Sequence, residues 1–234
     1  MKKLPFILLL IIAFACTTPP KKDGNNKQLA DAISKNEYFP LVKSMALETM
    51  KSGFNAGSGY REVWIRDYNT FIELASNVFP KEELKENLLV FCRMQGDDGN
   101  IIDGFTPIDK VGKEAYDFAY SKLEPRYAAH KNSVETDQES SLIQAVYKYI
   151  KLTGDTTILN EKVGDKTVAE RLEWAMDFLM KNRFNEKYGL IIGATTADWG
   201  DVQPEHGWGV DLDANTHPAI DIYDNAMFVI ALNN

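Results

Sequence analysis

Three clusters in the chain carry side chains that could do chemistry on a polyhydroxylated ligand. The first is Tyr60-Arg61-Glu62-Val63-Trp64-Ile65-Arg66-Asp67, which sets an arginine beside an aspartate where a helical pattern starts. Neighbouring guanidinium and carboxylate groups can hold adjacent hydroxyls through bidentate hydrogen bonds, and an aromatic can flank a sugar ring. The same residues also fit an ordinary helix start with an ion pair and a core tryptophan. The second is Ala197-Asp198-Trp199-Gly200-Asp201, two carboxylates bracketing an indole and a glycine. Cleaving a glycosidic bond needs a protonated carboxylic acid beside the leaving oxygen, and apolar surroundings raise a carboxyl's pKa toward that role. Read otherwise, it is a polar turn with an Asx-type cap.

The third runs from Glu205 to His217. Asp211, Asp213 and Asn215 alternate as in a calcium loop, but Thr216 stands where that loop needs glycine and Ile222 where it needs glutamate. Glu205, His206, Asp211 and His217 are metal-type ligands without a defined zinc spacing. The expectation is a substrate-lining loop with no metal and no cofactor.

Helices must position these clusters. Apolar spacing predicts helices over 28–35, 40–52 and 64–78, and Pro80 opens another that runs to Met94. A long glycine- and proline-bearing loop covers 95–134. Thr136-Asp137-Gln138-Glu139 and Thr167-Val168-Ala169-Glu170 both read as capping boxes, with helices behind them, the first ending at Gly154. Residues 194–217 form a second long loop, and Pro218 starts a final apolar helix. The expected class is all-α, with paired helices.

At the start, Lys2 and Lys3 precede an apolar run that stops at Cys16. The run is shorter than the roughly 20 residues of a membrane-spanning helix and has the layout of a secretory signal. Cys16 sits where a bacterial lipoprotein would be cut and acylated. The expected division is a signal segment over 1–16, a flexible tether over 17–27 and a folded domain over 28–234. The expected location is the bacterial cell envelope, with a lipid anchor at Cys16. Cys92, within Leu88-Leu89-Val90-Phe91-Cys92, reads as a small core residue. With 26 basic and 34 acidic side chains the 234-residue chain carries a net charge of −8, which argues against sequence-independent nucleic-acid binding. Apolar residues at 44% are ample for a packed core.

Trp64-Ile65-Arg66-Asp67 resembles the W-x-R-D signature of six-hairpin, (α/α)6-barrel glycosidases, a group that spans glucoamylases, trehalases, processing α-glucosidases and cellobiose-phosphorylase-type enzymes. Glu135-Thr136-Asp137-Gln138-Glu139, followed by Tyr149 to Asp155 with its Thr-Gly-Asp turn, is similar to the helix midway along those barrels. Ala197-Asp198-Trp199-Gly200-Asp201 looks like their acid loop. The resemblance covers roughly residues 40–234, with the motifs in the expected order.

The resemblance implies a toroid of helical hairpins, here an incomplete half-barrel, acting on a carbohydrate substrate. Asp201 would be the general acid, with Asp198 the alternative. Trp64, Arg66, Asp67, Trp199, Glu135 and Asp137 would bind substrate. The general base would be a glutamate from the later part of such a barrel, which this stretch does not supply, so the 234-residue chain by itself is expected to be an inactive fragment. The implied function is an exo-acting, inverting glycoside hydrolase. The alternative is a glycan-binding or structural surface lipoprotein that lacks catalysis. A phosphorylase would need a basic phosphate pocket, and residues 194–217 contain no lysine or arginine.

Overall fold

The computed structural model describes residues 24–54, 62–111, 118–194 and 212–234. Two compact units divide between Met45 and Ala46. In the first lie α1 (Gly24–Ser34) and the start of α2 (Tyr38–Met50). Their apolar side chains Leu29, Ile33, Tyr38, Phe39, Leu41, Val42 and Met45 are exposed.

In the second unit the end of α2 places Met50 and Phe54 in a core. There follow β1 (Val63–Trp64), α3 (Ile65–Ala75), α4 (Lys81–Met94), β2 (Gly104–Pro107) and β3 (Tyr127–His130). Next come α5 (Gln138–Thr153), β4 (Lys162–Val163), β5 (Lys166–Thr167) and α6 (Val168–Asn182). The chain then forms β6 (Phe184–Asn185), β7 (Leu190–Ile191), β8 (Gly193–Ala194), β9 (Pro218–Ala219) and α7 (Ile222–Asn233). The described residues are thus mainly helical, and the all-α expectation is met in part. Among the described residues there are also four small antiparallel sheets: β1-β2-β3, β4-β5, β6-β7 and β8-β9. The largest takes two of its three strands from the 95–134 stretch expected to be loop, where Phe105 pairs with Val63 of β1 on one side and Ala129 on the other.

The central element is α5. Its apolar residues Leu142, Ala145, Val146 and Tyr149 are buried, and it packs on α3, α4, α6 and α7. Tyr68, Ile72, Leu84, Leu88, Phe91, Cys92 and Phe105 complete the main core around it, and the Tyr68 hydroxyl donates to the Leu84 carbonyl at 2.7 Å. Each large side chain buried there contributes about 1.5–3 kcal/mol. Cys92 is fully buried, and desolvation pushes its thiol up to about 12, so it behaves as a core residue.

Side-chain bonds along α5 fix the direction of its neighbours. Arg66 meets Asp137 at one end, Asn69 meets Gln144 further along, and Lys148 donates to the Asn69 carbonyl beyond that. On the other side Tyr223 faces Asp137, and Gln144 donates to the Met227 carbonyl. Helices α3, α5 and α7 therefore run parallel, and their first turns converge. Helices α4 and α6 touch each other and pack on α5.

Three local expectations are corrected. Thr136 does not cap α5: Asp137 holds the N-cap position without a side-chain cap bond, and the Thr136 hydroxyl donates to the Ile192 carbonyl. Pro218 does not start the last helix. It pairs with Ala194, and Asp221 caps α7 by accepting the N–H groups of Tyr223 and Asp224. Trp64 lies in β1 ahead of α3 rather than inside the helix.

Candidate functional site

The converging first turns of α3, α5 and α7 bring charged side chains from three distant stretches together. Arg66 Nε donates to Asp137 Oδ2 at 2.9 Å and Nη2 to Asp137 Oδ1 at 3.0 Å. Nη2 also lies 2.9 Å from Glu135 Oε1. The Arg66 side chain is 12% exposed and that of Asp137 1%. Burial alone would disfavour the guanidinium charge, but the bonds and charges of Asp137 and Glu135 outweigh it and hold Arg66 protonated. The Tyr223 ring lies under the guanidinium, with Cζ 5.5 Å from the ring centre. Its hydroxyl bonds to Asp137, and burial with the nearby carboxylate holds its proton on well above the usual phenol range.

A second carboxyl layer backs this pair. Gln138 Nε2 is within bonding distance of Asp103 Oδ1 (2.6 Å), Glu135 Oε2 (2.9 Å) and the Asn132 carbonyl (3.1 Å). One amide nitrogen has two N–H groups, so three acceptors outnumber its protons. Burial raises Asp103 well above the carboxylate range, against the pull of Lys131 and Gln138. Asp224, in the first turn of α7, is raised to about 7, first by burial and then by the charges of Asp137 and Asp221. Glu139 faces the sheet instead, where its Oε1 accepts the Ile101 N–H at 2.8 Å and tethers the segment before β2 to α5.

Beside α3, the Trp64 indole stacks on His130 at 5.7 Å between ring centres, and Phe118 packs on the same imidazole at 4.4 Å. Glu62 lies 3.5 Å from His130 Nε2, and burial nonetheless lowers the His130 pKa. Gly104 passes under the indole, where a Cβ would come within 2.9 Å of it.

Of the expected site residues, the structure joins Arg66, Glu135 and Asp137 directly. Trp64 and the buried Asp67 flank Arg66 at the same helix start. Asp198, Trp199 and Asp201 lie outside the described residues, as does Cys16. The flanks of that loop are nonetheless anchored close by: Ala194 pairs with Pro218, and the Leu212 N–H donates to Ser133 Oγ at 3.0 Å. No group of three metal-type ligands stands among the described residues; Glu205, His206 and Asp211 are not among them.

Asp103, Gln138, Tyr223 and Asp224 are not singled out by the sequence pattern. A signal existed for one pair. Asp224-Asn225 interrupts an otherwise apolar helix, and Asn225 both receives the Ile191 N–H and donates to its carbonyl, pinning β7 to α7. Gln138 was noticed only as part of the Glu135–Glu139 stretch and Asp103 not at all, since their roles arise only when the sheet and α5 meet.

Compared with known proteins, the chain matches no family model and no curated protein.

Proposed function

We propose that this chain acts on carbohydrate as an exported glycosidase of the six-hairpin type, built on part of an (α/α)6 toroid. The observation that carries the reading is the convergence of Arg66, Glu135, Asp137, Tyr223 and Asp224 at the first turns of three parallel helices. Two aspects support it. Alternate helices α3, α5 and α7 form one layer while α4 and α6 pack behind, which is the pattern of successive hairpins in a toroid. The charged cluster also sits at the shared first-turn end of these helices, and ligand sites are commonly built between helices.

In this reading the buried Asp137 holds the Arg66 fork in place and so shapes the sugar site, and the Glu135 carboxylate beside it accepts sugar hydroxyls. Trp64 offers an aromatic wall. Asp201, from the loop whose flanks are tied to β9 and Ser133, donates the proton to the leaving oxygen, with Asp198 as the alternative. Cys16 carries the lipid.

Two experiments test this. The protein is titrated with neutral mono- and disaccharides in gluco, galacto and manno forms by ligand-observed NMR, and then assayed for hydrolysis of aryl glycosides. Saturable binding that Asp137→Ala removes supports the site. Turnover separates a hydrolase from a glycan-binding lipoprotein, and the absence of binding across all forms sinks the reading. Separately, Cys16→Ser should move the protein from the membrane to the soluble fraction; a wild type that is already soluble removes the anchor.

A further inference from the structure

Asp224 is a buried carboxyl, 8% exposed, whose bonding needs the fold leaves open. Carboxylates at helix starts usually accept backbone N–H groups. Here Asp221 takes the N–H groups of both Tyr223 and Asp224. Among the described residues nothing donates to the Asp224 carboxyl; only burial and surrounding charges act on it. Gly193 closes one side with bare backbone, since a Cβ there would fall 3.2 Å from Asp224 Oδ2 and 3.0 Å from the Val134 carbonyl.

The cations around it are already committed. Arg66 is forked onto Asp137 and bound to Glu135. Arg183 donates to the Ser133 carbonyl, and burial lowers its pKa. Lys131, which lies by Asp103, donates to the Ile101 carbonyl at 2.6 Å and pairs with Glu139. A ligand anion arriving here meets spent donors and several carboxylates. A hydroxyl or an ammonium group meets an acceptor with open lone pairs.

We propose that Asp224 is a specificity-determining carboxyl of this site, accepting a neutral or cationic polyhydroxylated ligand and turning away sugars that carry carboxylate, phosphate or sulfate. This rests on the carbohydrate reading above. The groups facing Asp224 are Arg66 on α3, Asp137 on α5, Arg183 after α6, and Asp221 and Tyr223 on its own helix start. Near neutrality it passes from acid to carboxylate, so discrimination against anions strengthens with rising pH.

The test is calorimetric titration of the full chain at about pH 6 and about pH 8, spanning the titration of Asp224. The probes are a neutral hexose, its uronate and a permanently cationic N,N-dimethyl imino sugar, each in gluco, galacto and manno forms. The wild type should prefer neutral over uronate by about tenfold or more, and the cationic probe should gain on the neutral one by about threefold between the two pH values. Asp224→Asn should bring the neutral and uronate affinities within about threefold of each other and abolish the pH gain, while neutral binding persists. Asp103→Asn should keep the gain, which excludes the other raised carboxyl as its source. Hexose binding with charge preference unchanged in Asp224→Asn overturns this proposal and leaves the carbohydrate reading standing. So does a uronate that binds the wild type as well as the hexose does. No binding by any probe overturns both.

Discussion

Arg66 and Asp137, 71 residues apart in sequence, meet as a two-pronged pair that ties the first turn of α3 to the start of α5. Such a pair is costly to form from water, so its net contribution to stability is small, but breaking it leaves a buried charge alone. Arg66→Ala is therefore expected to destabilise the fold by about 3–5 kcal/mol. Asp137→Ala should cost a similar amount, and the double variant far less than the sum. Chemical denaturation of the two single variants and the double measures this. Additive losses would mean that the two side chains do not act as a pair.

The four-residue pattern Thr-x-x-Glu that stands ahead of two helices, at Thr136 and Thr167, is used in two ways. At Thr167 it closes a reciprocal box: Thr167 Oγ1 accepts the Glu170 N–H at 3.2 Å, and Glu170 Oε2 accepts the Thr167 N–H at 2.6 Å. Thr167→Ala is expected to cost about 1 kcal/mol, read as a shift in denaturation midpoint at unchanged slope. At Thr136 the local bonds are given up for distant ones, with the hydroxyl going to Ile192, Glu139 to Ile101 and Asp137 to Arg66.

That contrast marks how far the sequence could be read. Helix existence followed from apolar spacing, and the ends of α4 and α5 from Pro80 and Gly154, because those signals are local. The three-stranded sheet was missed because β1 is two residues long and pairs with residues about forty positions away, so neither strand shows an alternation of its own. At the site, Arg66 and Asp137 stood out by residue type, yet nothing near either one announces the other. Asp224 was hidden inside a helix that read as apolar core.

Burial raises both Asp224 and Asp103 above the ordinary carboxylate range. Their protons leave the unfolded chain near pH 4 but stay on the folded one until about pH 7. Over that window the unfolded state binds fewer protons, so stability falls as pH rises and levels off above it. Asp155 and Glu124, whose pKa values are lowered mainly by Thr157 and Tyr149 in one case and by Arg126 and Arg93, against burial, in the other, act oppositely and lose their contribution below about pH 4. Thermal melts from pH 5 to pH 8 should show a falling midpoint for the wild type and a shallower fall for Asp224→Asn, which becomes the more stable of the two at the alkaline end. Parallel profiles would show that Asp224 titrates as an ordinary surface acid.

The last expectation concerns chemistry, follows from the proposed function and applies to a protein that also carries the general base. Asp198 and Asp201 lie outside the described residues, between Ala194, which pairs with Pro218, and Leu212, whose N–H donates to Ser133 Oγ. A general acid there must hold its proton until the leaving oxygen takes it. Asp201→Asn keeps the shape and removes the proton, so hydrolysis of a glycoside with a poor leaving group should fall by about 10²–10⁴-fold. An aryl glycoside with an activated leaving group needs little protonation and should lose much less. Asp137→Asn should slow both substrates alike, because it weakens sugar binding and leaves proton transfer untouched. If Asp198→Asn instead abolishes turnover of the poor substrate while Asp201→Asn spares it, the acid is the other carboxyl of the loop. If neither change separates the two substrates, the loop does not protonate a leaving group, and the hydrolase reading gives way to a glycan-binding one.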